Sequence, residues 1–581
     1  MSAAYDLVIR GGQVFDGDGG APFVADVAVK DGVIAALGEV PGRGEEEIDA
    51  RGHIVTPGFV DVHTHYDGQA TWDGRMQPSS WHGVTTVIMG NCGVGFAPCR
   101  PADHDRLVGL MEGVEDIPFP VLTAGLPWTW RDYPQYLDTL SARSFDVDIG
   151  SQLPHAALRV FVMGERGVNR EPATTQDIAA MSALAREAVE AGAIGFGTSR
   201  TLNHRASDGT PIATLTASEA ELTGIALGMA EAGGGVLQVV SDFKDPVEEF
   251  AMLRRIVERS GRPLAFTLAQ GSVARHSYKI LLGALEDAVA DGLPMKAQVA
   301  ARPVGVLLGL ELTLNPFTTH PDYRAIAGLP LAERVAHLSN PALRDRLLAP
   351  RDGAAKPSLV NSWDRMYLLD AERPDYEPSP EDTVAAQAGR LGMKPLAVAL
   401  DHMLTRGGRG ILYSPILNYA GGSLDAVREM IVHPDTVPGL SDGGAHVGMI
   451  CDGSFPTSML THWTRDRTRG PLIPLEAVIR MQTRDTARSV GLEDRGLLAP
   501  GYRADINVID YEGLTLRSPE VAYDLPAGGR RLIQRADGYV ATIVAGQVTY
   551  RDGQPTGALP GRLVRGAQSA PVVASSALAA E

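Results

Sequence analysis

Apolar and polar positions alternate through the first fifty-odd residues. "YDLVIRGGQVFDG" and "VADVAVKDGVIAALG" read as short strands, with "GG", "DGDGG" and "KDG" as turns between them. The same alternation returns late, in "RADINVIDYEGLTL" and "GYVATIVAGQVTYRDGQP". These distant stretches are predicted to pair into one small β-sandwich built from residues 1–55 and 490–560. Between them, short apolar runs such as "GVTTVIMGNC" alternate with helical stretches such as "DIAAMSALAREAVEAG" and "VEEFAMLRRIVERSG". Strand-then-helix repetition predicts a parallel sheet. Over residues 56–489 a closed (β/α)8 barrel with insertions is the leading expectation. An open doubly wound sheet is second, and its glycine-rich dinucleotide turn is not evident. The irregular stretch 316–395, rich in Pro, Asp and Arg, reads as an insertion whose "AERPDYEPSPEDT" lies on the surface like a lid. Residues 561–581 read as a flexible tail.

Charge and cysteine content narrow the class. The chain has 581 residues and a formal net charge of −18, which argues against nucleic acid or an anionic membrane as the main partner. A local pocket can still oppose that field and admit an acidic small molecule. The cysteines, Cys92, Cys99 and Cys451, are too few for a disulfide framework. With no signal peptide at the N-terminus and no apolar run of transmembrane length, a soluble, cytoplasmic protein is expected. Its oligomeric state is left open, with a homo-oligomer possible.

Candidate chemistry starts at "FVDVHTHYDG". Alternation along a strand points His63 and His65 to one side, where two imidazoles can grip one metal ion. In a parallel barrel the C-terminal ends of the strands carry the site. The bland alternative is two histidines hydrogen-bonded in a loop.

"PGFVDVHTHYD", then "GVTTVIMGNCGVGFAP", "GLSDGGAHVG" and "TRDTARSVGLEDRGLLAPGYRADINVID" together resemble the amidohydrolase superfamily, closest to its N-acyl-D-amino-acid deacylase (D-aminoacylase) branch. The resemblance implies a metal-dependent hydrolase of linear amides on a distorted barrel. It implies His63, His65, Cys92 and Asp442 as metal ligands, and Asp442 as the group that moves protons. Thiolate and imidazole donors suit zinc. The implied substrate is a small amide carrying a carboxylate.

The pattern also breaks. The family carries two more metal-binding histidines on middle strands, but "GGGVLQVVSDFKD" and "RPLAFTLAQGS" contain none. Their polar residues are Gln238, Ser241, Asp242, Thr267 and Gln270, of which Gln238 and Thr267, as neutral oxygen donors, are poor substitutes. The simplest site left is one metal held by His63, His65 and Asp442, with water completing it and Cys92 either a further ligand or a bystander. His155, Arg200, Arg302, Tyr413 and His446 are expected around the substrate, the arginines as partners for its carboxylate. "ILYSPILNYAGG" reads as the end of the seventh strand and would add Ser414 and Asn418. His204 reads as an ordinary loop histidine and His82 as packing at a helix end. Two alternatives stay open: hydrolysis of a cyclic amide or imide, and a non-catalytic binding protein. Ser/His/Asp catalysis lacks its Gly-X-Ser-X-Gly elbow.

Overall fold

Eight parallel strands form the central sheet of the computed structural model, which describes residues 3–350 and 358–572. In chain order they are β1 (Phe59–Asp61), β2 (Val84–Met89), β3 (Asp148–Pro154), β4 (Gly195–Arg200), β5 (Val236–Ser241), β6 (Leu264–Leu268), β7 (Met295–Val299) and β8 (Thr436–Pro438). Each pairs with its sequence neighbour, so sheet order follows chain order. The seam between β1 and β8 closes just past the strand ends. Thr64 bridges Gly443, the His65 N–H donates to the Gly443 carbonyl at 2.8 Å, and the Asp442 N–H donates to the His63 carbonyl at 3.1 Å. The sheet is therefore a closed barrel.

Local sequence explains the elements. β2, VTTVIM, is buried along its whole length, as a parallel strand covered by helices should be. The helix Pro246–Ser260 between β5 and β6 has Pro at its start, and the Asp245 side chain caps the Glu248 N–H. It stops at Gly261, whose φ of +63° suits a residue without Cβ.

Strands from both chain ends share one nine-stranded sheet. Ile54–Pro57 pairs antiparallel with Ile506–Ile509 and then runs through Gly58 into β1. A Cβ at Gly58 would stand 2.2 Å from Thr85 Oγ1, so only glycine permits this approach. The two ends enclose a small core that includes Ile9, Val27, Val55, Ile506 and Ile543.

Asp148, at the start of β3, ties this sheet to the barrel. It is fully buried and accepts from Arg495 at 2.8 Å, Arg503 at 2.9 Å and the Arg562 N–H at 2.9 Å. Truncating one partner of a buried ion pair strands the other charge. Asp148→Ala is expected to lower stability by about 3–5 kcal/mol, read as a reduced urea midpoint.

Three sequence expectations change. Leu412–Pro415 is not the seventh barrel strand: it pairs with Gly305–Leu308 and Tyr367–Leu368 in a separate antiparallel sheet. The material between β7 and β8 is wider than 316–395, with its own core around Leu308, Phe317, Leu338, Met403 and Leu412. "AERPDYEPSPEDT" lies largely on the surface but turns inward at Tyr376–Pro378: Glu377 is buried, held by Arg467 at 3.0 Å and facing His462 at 3.0 Å. Residues 351–357, within that region, lie outside the described residues. At the C-terminal end, Gly561 and Leu563 bridge Phe145 and Ile149, and only residues 573–581 of the expected tail lie outside the description. No helix among the described residues is long and apolar enough to cross a membrane.

Candidate active site

The loops after β1, β2 and β8 converge at the C-terminal mouth of the barrel. His63 Nε2 lies 3.4 Å from Cys92 Sγ and 3.4 Å from Asp442 Oδ1, and His65 Nε2 lies 3.4 Å from the same Oδ1. Ligand atoms of His63, His65 and Cys92 all fall within 4.8 Å of one another, a candidate metal site. Donors about 2.1 Å from a tetrahedral centre stand about 3.4 Å apart. The spacing and the N, S and O donor types therefore fit one divalent cation.

The backbone is held in an uncommon form where these groups meet. Cys92, Asp442 and His446 have φ of +55°, +49° and +48°, left-handed values that side-chain-bearing residues seldom adopt. Such conformations persist where the surroundings over-determine them, and they cluster at functional sites.

Outer contacts aim the imidazoles. His63 Nδ1 meets Gln298 Oε1 at 2.8 Å; since the amide oxygen can only accept, Nδ1 carries the proton and Nε2 presents its lone pair. His65 Nδ1 stands 3.3 Å from the buried Glu115 Oε1. His446 Nε2 stands 3.5 Å from the other Glu115 oxygen. Asp61 receives the Ser441 hydroxyl and the His63 N–H, bracing the seam.

Burial sets the proton balance, and neighbours modify it. Burial drives His63 down to about 4. It also works against charge on His65, but Glu115, Asp442 and Cys92 outweigh it and hold that imidazole well above its ordinary value. Burial pushes the Cys92 thiol up to about 12. For Asp442, burial favours the neutral acid, yet the hydrogen bond from His65 and the nearby histidines hold it well below the usual carboxylate range.

The remaining expected residues divide. His446 joins the cluster through Glu115. His204 bonds Ser199 at 2.9 Å; burial first, then the charges of His446 and His65, press it down to about 3, so it stands within the site's field. The others have structural partners. Both ring nitrogens of His155 are taken, by Thr198 at 2.8 Å and Glu221 at 3.0 Å. Arg200 pairs with Glu249 at 2.6 Å. Arg302 is buried against Asp452 at 3.1 Å and stacks over Tyr376 at 3.7 Å. Tyr413 donates to the Tyr376 carbonyl at 3.4 Å. His82 spans Thr457 and Gln534. Sequence reasoning missed Glu115 and Gln298. Gln298 carried a faint signal, a polar residue inside a buried strand; Glu115, ending the helix His104–Glu115, carried none.

Comparison with known proteins agrees with this architecture. A profile described as "Amidohydrolase family" matches residues 46–550. An uncharacterized protein of Mycobacterium tuberculosis is 28% identical, covering 95% of this chain and 93% of its own. The N-acyl-D-glutamate deacylase of Alcaligenes xylosoxydans xylosoxydans is 27% identical over 91% of this chain and 92% of its own. Among solved structures, a D-aminoacylase superposes with a TM-score of 0.63 at 23% identity, covering 97% of this chain and 100% of its own. The N-acyl-D-glutamate deacylase of Bordetella bronchiseptica, described with zinc and a phosphonate inhibitor, gives 0.64 at 23% identity, with 97% and 99% covered. With residues 46–550 matched, this chain belongs to the amidohydrolase family, as a hydrolase of carbon–nitrogen bonds other than peptide bonds.

Proposed function

We propose that the chain hydrolyses the amide bond of a small N-acyl amino acid, using one divalent cation held by His63, His65, Cys92 and Asp442, with zinc the best match to these donors. The observation that carries this reading is the spacing of the four donor groups at the barrel mouth. A relative that spans nearly the whole chain is named an N-acyl-D-glutamate deacylase, which favours an acyl amino acid as substrate.

A bound cation supplies Lewis acidity, making water more acidic and a carbonyl more electrophilic. The chain's residues supply the rest. The Asp442 side chain is 14% exposed, whereas His63 and His65 are 0% and 1% exposed. Among these three, Asp442 alone reaches toward incoming substrate. It takes the proton of the attacking water and delivers it to the leaving amine. His446, 25% exposed at the rim, faces the substrate. Glu115 and Gln298 orient the imidazoles and act only through them.

Glu115→Gln keeps the size of the side chain and removes its charge. Zinc affinity is expected to fall about 10–100-fold, read by competition with a chromophoric chelator. Unchanged affinity would reduce Glu115 to core packing.

The direct test has two arms. Metal content is measured on protein purified without chelator or histidine tag. Products are then analysed after incubation with N-acyl-D-amino acids and, separately, cyclic imides. Bound metal at about one per chain with release of free amino acid is expected. Turnover of imides alone would move the substrate to cyclic amides, and absence of metal under metal-replete conditions would remove the hydrolytic mechanism.

A further inference from the structure

Two polar groups beside the cluster have nothing to bind. Gln238, on β5, is 1% exposed, and its Oε1 accepts the Cys92 N–H at 3.0 Å. A backbone N–H can only donate, so this bond fixes which end of the amide is oxygen and leaves Nε2 as the free end. Gln238 Nε2 is buried without a hydrogen-bond partner among the described residues, and so is Thr267 Oγ1 on β6.

Strand register puts the two on one face. Gln238 lies opposite Ala265, and Thr267 follows Ala265 by two positions, so both point to the same side. Thr267 in turn lies opposite Gln298, whose Oε1 holds His63. Gln238 therefore borders the cluster at Cys92, and Thr267 borders it through Gln298.

The chemistry of the free groups selects the occupant. An amide NH2 offers hydrogens and no lone pair to a cation, and a threonine hydroxyl is neutral. Buried donors left unpaired are costly, and a negatively charged oxygen is the strongest acceptor they can find. We propose that Gln238 and Thr267 form a hydrogen-bond-donating subsite beside the cluster that binds a carboxylate or oxyanion oxygen. This rests on the reading of His63, His65, Cys92 and Asp442 as the holders of a single cation.

The test titrates acetate calorimetrically into the zinc-loaded full chain. Thr267→Val removes the hydroxyl at constant shape and is expected to weaken acetate about 10-fold, with zinc content unchanged and Thr267→Ser restoring affinity. Gln238→Glu keeps an oxygen for the Cys92 N–H and replaces the donor with an acceptor. It is expected to weaken acetate at least about 10-fold and to raise zinc uptake above that of the wild type. Wild-type acetate affinity in both Thr267→Val and Gln238→Glu overturns the subsite, as does binding of two zinc ions by the wild type. If the wild type takes up no zinc, the metal reading fails separately. Acetate is then titrated into the metal-free chain: weaker binding in Thr267→Val supports the subsite, and equal binding overturns it.

Discussion

Asp442→Asn is expected to lower kcat/KM on an N-acyl amino acid by about a thousandfold or more, with the fold intact. Asparagine matches aspartate in shape and tolerates the left-handed backbone present here, φ +49°. Chain geometry at the seam should therefore survive. What disappears is the charge between two imidazoles, each 3.4 Å from Oδ1, and with it the group that relays the proton. Circular dichroism establishes folding, and steady-state kinetics with metal added to saturation separates lost chemistry from lost metal. A decrease smaller than about tenfold under saturation would rule Asp442 out as the proton carrier.

His63→Ala is expected to empty the centre. Its Nε2 faces both Cys92 Sγ and Asp442 Oδ1, so its loss removes the donor shared by the two sides of the cluster. Bound metal, measured by mass spectrometry after dialysis, should drop to background, and turnover should vanish with it. The change also leaves Gln298 Oε1 buried without its present partner, which costs about 1–3 kcal/mol. Thermal unfolding of the metal-free proteins measures that part separately. Cys92→Ala is expected to cost less, since both imidazoles and the carboxylate remain. Full metal occupancy in His63→Ala would mean that the cation sits elsewhere.

Which features were legible in the sequence follows from the range of the interactions behind them. His63 and His65 stand out because two histidines two apart after a short apolar run form a local pattern, although the strand ends at Asp61 and both lie on the loop beyond it. Asp442 and Cys92 were reached through motif order along the chain. Glu115 was invisible: its value to the site comes from a helix end that packs against His65 and His446, and nothing near "GVEDIP" encodes that meeting. Arg302 was misleading for the opposite reason. An arginine after a strand suits carboxylate recognition, but Asp452, far along the chain, already engages it. The apolar run at Leu412–Pro415 has the composition of a barrel strand, and composition does not say which sheet a strand joins.

The bonds from His65 to Gly443 and from Asp442 to His63 also set a timetable for synthesis. A ribosome delivers the histidines early and the aspartate after nearly the whole barrel has been made. Until then the imidazoles and the Cys92 thiol belong to an open-ended sheet, and a nascent chain halted in the β7–β8 region has two rims of a site and no way to join them. In the proposed reading the carboxylate donor thus arrives last, present in finished molecules and missing from fragments. A cell that truncates this message makes a protein with His63, His65 and Cys92 and without Asp442, the group proposed to move the proton.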